Sequence, residues 1–293
     1  MRLSHRGLFL ALFGLVAATI EASELASSPA DLDAAVFKLR ALDRTGKVKN
    51  GSAVLIAPGK LLTACHVTRD AESIQLYRGH ATITAKSAFV DIEHDLCVLS
   101  APELMDSVPA EIAMPGNLRV GDEVFAVGYT RAGTLALSKG RLKALHRYGA
   151  VRVLQVSAPF DHGQSGGALF DSMGRLAGIT AFKTLSGGDF HFALAFDGIY
   201  EQLLVREAAV PYNASQKTAF WERARHAQPL FLRAASLEAE RDWKALLNVA
   251  LEWTASDHAN SASWLALSRA LSSLKRERDA DLALSRAVAL LNN

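Results

Sequence analysis

Residues 163–182 read "GQSGGALFDSMGRLAGITAF". A glycine-rich turn around Ser165 is followed by an apolar run, a polar break at Asp171 to Arg175, and a second apolar run ending at Phe182. Short apolar runs bounded by turn residues read as strands, so the stretch predicts two strands joined by a tight turn, with Ser165 just ahead of the first. The surrounding text has the same texture. "GSAVLIAPGKLLTA" (51–64), "SIQLYRG" (73–79), "DLCVLSA" (95–101), "DEVFAVGY" (122–129), "RVLQVSA" (152–158) and "FHFALAF" (190–196) are rich in Val, Leu, Ile and Phe and separated by glycine and polar breaks. Many short, closely spaced strands predict a sandwich or a barrel.

"GQSGG" fits the G-x-S-x-G turn of α/β-hydrolases, but those enzymes run serine, acid, histidine and place a helix after the serine. Here strands follow Ser165, and the histidine and acid contexts precede it. His66 lies in "LTACHVT" (62–68) and Asp95 opens "DLCVLS". A serine hydroxyl is a poor nucleophile until a base takes its proton. Histidine is that base near neutral pH, and a carboxylate fixes its tautomer and stabilises its charged form. The N–H groups of Gly163 and Ser165 could converge on an oxyanion if the turn is tight. Each residue alone has a plainer reading: a turn serine, a capping aspartate, a core histidine.

Together the blocks "GSAVLIAPGKLLTACHV", "HDLCVLSAP", "VGDEVFAVGYT", "LSKGRLKAL", "QVSAPFDHGQSGGALFDSMGRLAGITAF" and "FHFALAFDGI" resemble, in order, those of trypsin-like serine proteases of the HtrA type. The resemblance implies a mainly β, chymotrypsin-like double β-barrel over residues 34–205. It implies His66 as general base, Asp95 as its orienting acid, Ser165 as nucleophile, and Gly163 and Ser165 as the oxyanion hole. Thr180, Ala181, Phe182 and His191 would line the primary substrate pocket. Pro159 stands where an acid would select Lys or Arg, so a strong preference for basic side chains is not expected. His191 either faces the pocket or turns away. The chain departs from the family pattern at Ala64 and Cys65 before the histidine, at Gln164 before the serine and at Ala53 in the first block, and it does not continue into a PDZ domain. His94 and His162 are read as structural. A metal site at Cys65, His66 and His94 lacks C-x-x-C or H-x-x-x-H spacing, so neither metal nor cofactor is expected.

The first 22 residues pair a basic start with the apolar run Gly7 to Ile20 and small residues, which predicts a signal peptide cleaved between Ala18 and Ser23. Export to a periplasmic or secreted location follows, with no membrane association once the leader is cleaved. An oxidising compartment allows a bridge between Cys65 and Cys97. Asp95 and Cys97 leave the same face of a strand, so contact between Asp95 and His66 would carry the two cysteines together. The alternative is two buried thiols side by side. With 50% hydrophobic and 21% charged residues and a net charge of +2 over 293 residues, the chain gives no reason to expect a nucleic-acid partner.

Glycine is absent from residue 199 onward, where Ala, Leu, Arg and Glu recur at helical spacing. "VPYNAS" (210–215) reads as a linker, and residues 215–293 as a small α-helical module. Trp264, Leu267, Ser268, Leu271, Ala280, Leu284 and Ala287 resemble a tetratricopeptide helix pair, and Ala234 precedes Ser268 by the period of that repeat. The module either binds a protein partner or only covers the barrels. The resulting expectation is an exported serine endopeptidase acting on polypeptides. The alternatives are a catalytically silent scaffold that binds through its helices, and an esterase-like hydrolase on the same triad.

Overall fold

The computed structural model describes residues 32–113, 116, 118–184, 190–196, 200–201 and 218–291. The expected signal peptide and the linker at 210–215 lie outside them. Twelve strands close into two antiparallel barrels. The first contains β1 (Val36–Asp43), β2 (Val48–Ala57), β3 (Lys60–Ala64), β4 (Ala71–Arg78), β5 (Ala81–Asp91) and β6 (Leu96–Ser100), in the order β1-β2-β3-β6-β5-β4. The second contains β7 (Glu123–Tyr129), β8 (Leu135–Tyr148), β9 (Val151–Val156), β10 (Ala168–Asp171), β11 (Leu176–Lys183) and β12 (His191–Ala195), in the order β10-β11-β12-β9-β8-β7. Closure leaves no exposed edge, and the cores fill with branched side chains. Leu39 opposes Leu76 across β1 and β4, and Leu62 opposes Val98 across β3 and β6; all four are fully buried. The chymotrypsin-like double barrel is therefore the observed fold. The opening stretch forms β10, a turn and β11.

β1, β5 and β8 are strands that the run-based reading did not single out. The first half of β8 leaves Leu135 and Leu137 exposed, and only Leu142, Ala144 and His146 are buried. Its pairing with β7 and β9 holds it, not its own hydrophobicity.

From residue 218 on, the described residues form four helices: α2 (Leu230–Ala239), α3 (Trp243–Ser256), α4 (Ser261–Ser273) and α5 (Glu277–Leu291). A single turn, α1 (Cys65–Thr68), sits inside the first barrel domain. Asp242 and Asn260 cap α3 and α4 by accepting the N–H groups of Ala245 and Ala262, which meets donors the helix cannot satisfy itself. Each helix packs on the next, and α2 also meets α4. Ala234 lies on α2 and Ser268 on α4, so the two repeat-like segments fall in successive helix pairs. Leu284 does not join the core: α5 buries Ala280, Ala283 and Ala287 and leaves Leu282, Leu284, Val288 and Leu291 exposed.

The helices dock on the second barrel. Phe231 of α2 stacks on His146 of β8, with ring centroids 4.3 Å apart and planes at 5°, and Trp253 of α3 meets the same ring at a tilt, 5.7 Å away. Between barrel and helices lie the turns Phe220–Glu222 and Arg225–Ala227, the first of them bonded to Glu93 and Arg69 of the first barrel domain. Among the described residues, no helix is long and apolar enough to cross a membrane.

Candidate active site

β3 ends where α1 begins, and this turn sets His66 beside the tight turn that starts β6. Asp95 has φ of 59°, a left-handed conformation that aims its carboxylate back at α1. Oδ1 of Asp95 accepts the backbone N–H of His66 at 2.8 Å, and Oδ2 lies 2.7 Å from His66 Nδ1. A carboxylate there draws the imidazole proton to Nδ1 and leaves Nε2 as an acceptor. Asp95 is 1% exposed, whereas the His66 side chain is 21% exposed and faces a cleft. Trp221, in the segment before the helices, donates its indole N–H to Asp95 Oδ2 at 3.1 Å.

A disulfide joins Cys65 and Cys97, with Cα atoms 5.0 Å apart, within the range a bridge requires. It ties α1 to β6 on either side of the His66–Asp95 contact. Cys65 is thus neither thiolate nor metal ligand, and among the described residues no group of His, Cys, Asp and Glu could hold a metal ion.

Ser165 comes from the second barrel, in the loop ahead of β10. Its carbonyl accepts the N–H of Ser52 in β2, which links the loop to the first barrel. Its hydroxyl donates to the carbonyl of Ala181 at 3.1 Å. Among the described residues, the backbone N–H groups of Gly163 and Ser165 donate to no protein acceptor, and both residues line the cleft. Two glycines are required by space as well as φ. A Cβ on Gly163 (φ 94°) would lie 2.6 Å from Arg131 N, and one on Gly166 (φ 81°) would lie 2.3 Å from Ser52 O. Gln164 closes the loop on itself: its side-chain oxygen accepts the Asp161 N–H, and its own N–H bonds the Asp161 carbonyl. The Gln164 side chain and backbone thus both hold the turn.

His66 and Ser165 line one cleft of about 300 Å³. Its other walls are Val48, Lys49, Asn50, Val67, Arg131, His162 and Gly163. Burial, reinforced by the nearby Arg69 cation, holds the Lys49 ammonium below its ordinary titration range. His162, read from sequence as structural, is instead 82% exposed in its side chain, on the wall of this cleft. His94 has a supporting place: its ring bonds Asp91, which raises its pKa against the effect of partial burial.

The four residues expected to line the substrate pocket do not border this cleft. Thr180 is fully buried and donates to the Gln164 carbonyl at 2.5 Å. Ala181 offers its carbonyl to Ser165. His191 is buried with its ring edge-on to Phe160, 5.0 Å away. Phe182 borders a second cavity of about 440 Å³, walled also by Trp221, Arg223 and Leu232.

Sequence reasoning missed two site residues. Ser52, fully buried, donates to the Gly163 carbonyl and accepts the Tyr129 N–H, so one hydroxyl ties both barrels to the glycine turn. A lone hydroxyl inside the apolar run 51–57 was the available signal. Trp221 gave no local signal, because its partner Asp95 lies 126 residues away.

The trypsin-like peptidase domain family matches residues 51–179. Serine protease Rv3671c of Mycobacterium tuberculosis (strain ATCC 25618 / H37Rv) is 26% identical over 188 residues, covering 60% of this chain and 47% of that protein. The crystal structure of its active form superposes with a TM-score of 0.58 at 23% identity, covering 71% of this chain and 98% of that one, a likeness of fold. The periplasmic pH-dependent serine endoprotease DegQ of Escherichia coli (strain K12) is 31% identical over 168 residues, covering 54% of this chain and 36% of that protein. The HtrA-type protease AlgW, solved with a tripeptide, superposes with a TM-score of 0.53 at 29% identity, covering 59% of this chain and 62% of that one. The chain spans about half the length of the first of these curated relatives, or less. Residues 51–179 thus match the trypsin-like peptidase domain family, and the chain is similar in sequence to serine proteases and in fold and sequence to an HtrA-type protease.

Proposed function

We propose that the protein is an exported serine endopeptidase that hydrolyses peptide bonds through an acyl-enzyme, with His66, Asp95 and Ser165 as its triad. The observation that carries this reading is the meeting of a buried Asp95–His66 pair with Ser165 and Gly163 at one open cleft. Ser165 turns from the Ala181 carbonyl toward His66 Nε2, which takes its proton as Oγ attacks the scissile carbonyl. The N–H groups of Gly163 and Ser165 hold the oxyanion that forms. His66 passes the proton to the leaving amine, and water repeats the sequence to release the acyl group. Ala181 presents its carbonyl to the chain being cut, and Phe182, Thr180 and His191 support the wall behind it.

In this reading the peptidase domain spans residues 34–205 and a tetratricopeptide-like module spans 215–293. The exposed apolar row on α5 suits a protein partner. A cleaved leader over residues 1–22 would direct the chain to the periplasm, where DegQ is named to act. The test is reaction of the purified protein, without its leader, with a fluorophosphonate probe, followed by peptide profiling. Labelling of the parent chain and none of Ser165→Ala, at equal thermal stability, is expected. Labelling that survives Ser165→Ala sinks the assignment.

A further inference from the structure

We propose that Trp221 is a positioning residue for the triad, so that the segment C-terminal to the barrels completes the active site. This rests on the reading of Asp95, His66 and Ser165 given above. The Asp95 carboxylate is almost wholly removed from water. Oδ1 accepts one bond from His66, and Oδ2 accepts two, from the His66 ring and from the Trp221 indole. A buried carboxylate needs its lone pairs met, and each donor it gains narrows its orientation. Among the described residues, the indole is the one donor to this carboxylate that does not come from His66 itself. The same ring lies edge-on to His66, 5.3 Å away at 87°, and flat on Phe182, 4.9 Å away at 15°. It therefore braces base and acid at once, against the strand whose Ala181 carbonyl holds Ser165.

The ring is anchored from both sides. Phe220 donates its N–H to the Glu93 carbonyl and stacks on Tyr148. Glu222 pairs with Arg69, beside α1, and Arg223 pairs with Glu93 in the turn ahead of Asp95. Gln228 donates its amide to the carbonyls of Trp221 and Arg223. These contacts fix the segment to the turns that carry His66 and Asp95, not to the cleft where Ser165 opens to solvent.

Trp221→Phe keeps an aromatic ring in this place and deletes the N–H together with the pyrrole half of the indole. It should lower kcat about tenfold, the scale of one hydrogen bond to a charged group, while KM changes less than about twofold. Labelling by a small fluorophosphonate, which needs the base but no peptide subsite, should slow in the same proportion. Gln228→Ala loosens the segment and keeps the indole. It should cost several-fold in kcat in the parent chain and distinctly less in the Trp221→Phe background, because its bond to the Trp221 carbonyl acts on Asp95 through the indole, whereas its bond to Arg223 reaches only the Glu93 turn. Thermal melts of all variants show whether the fold is kept. If Trp221→Phe is folded and kcat stays within about twofold while Ser165→Ala is dead, the positioning role is wrong and the peptidase reading stands. A rise in kcat/KM also overturns it, by showing that the ring obstructs the site. If Ser165→Ala retains activity, the underlying reading is what fails.

Discussion

His66 is the residue on which the opposing demands of the site meet. Its Nδ1 side is sealed against a carboxylate 1% exposed, while its other edge stays open to the cleft. In the proposed triad, replacing His66 by Ala leaves Ser165 without a base and should cost about 10⁴-fold or more in kcat. Asp95→Asn keeps the shape but presents an amide to Nδ1, which favours the wrong tautomer, and should cost about 10⁴-fold. The double variant should lose little beyond the worse single variant, because the two groups act as one unit. Additive losses in single-turnover acylation would mean that they do not share a mechanism. The residues of the proposed triad could be named from sequence because each sits in a short stretch with its own local signature: an apolar run into His66, a strand start at Asp95, a glycine turn at Ser165. Ser52 and Trp221 were not, because hydrogen bonding across 111 and 126 residues of chain leaves no local pattern. Which of the four expected pocket residues face the substrate could not be read from sequence for a related reason. Register decides which side chains of β11 turn inward, and the irregularity between Thr180 and Phe182 cannot be counted from composition.

At the scale of elements, α1 and β6 are separate pieces of chain that must hold two side chains within 2.7 Å of each other. Register across β3 and β6 opposes Thr63 to Cys97 and Ala64 to Leu96, so the end of β3 already points α1 at Asp95. The disulfide then closes a loop of 32 residues between the same two elements. Replacing both cysteines by Ala should lower the unfolding free energy by roughly 3–4 kcal/mol on the chain-entropy view. Because the strand pairing and the Asp95 bonds remain, kcat should fall less than about tenfold. Chemical denaturation read with peptide turnover separates the two effects. Unchanged stability would mean that the bridge constrains little, and a loss of kcat as large as that of His66→Ala would mean that it holds the triad by itself. Strands dense in Val, Leu and Ile announced themselves in sequence, as did the helical texture of the module read at 215–293, whose described helices run from Leu230 to Leu291. β1, β5 and β8 did not, because closing a barrel recruits segments whose burial comes from their neighbours.

For the whole molecule, the joint between barrel and helices contains a titratable group placed against its charge. His146 is fully buried between Phe231 and Trp253, with Nε2 on Gln155 and, among the described residues, no partner for Nδ1. Burial drives its pKa down to about 4, against smaller opposing effects of the Gln155 hydrogen bond and the Asp257 charge. The unfolded chain binds the His146 proton near the ordinary pKa of about 6.5. Between those values the unfolded state carries more protons, so the stability this site contributes is complete above about 6.5 and is lost as pH falls toward 4. The full loss is about 3 kcal/mol. His94 acts in the opposite sense, because Asp91 raises its pKa: its contribution is complete below about 6.5 and is lost as pH rises through the raised value. The two must be separated by mutation. His146→Phe replaces the imidazole with an apolar ring of similar size, and the Gln155 amide it frees is only partly buried. Melting temperatures from pH 7 to pH 4.5 should fall for the parent chain and fall distinctly less for His146→Phe. Parallel curves for the two proteins would show that the acid sensitivity of the fold lies elsewhere than at this joint.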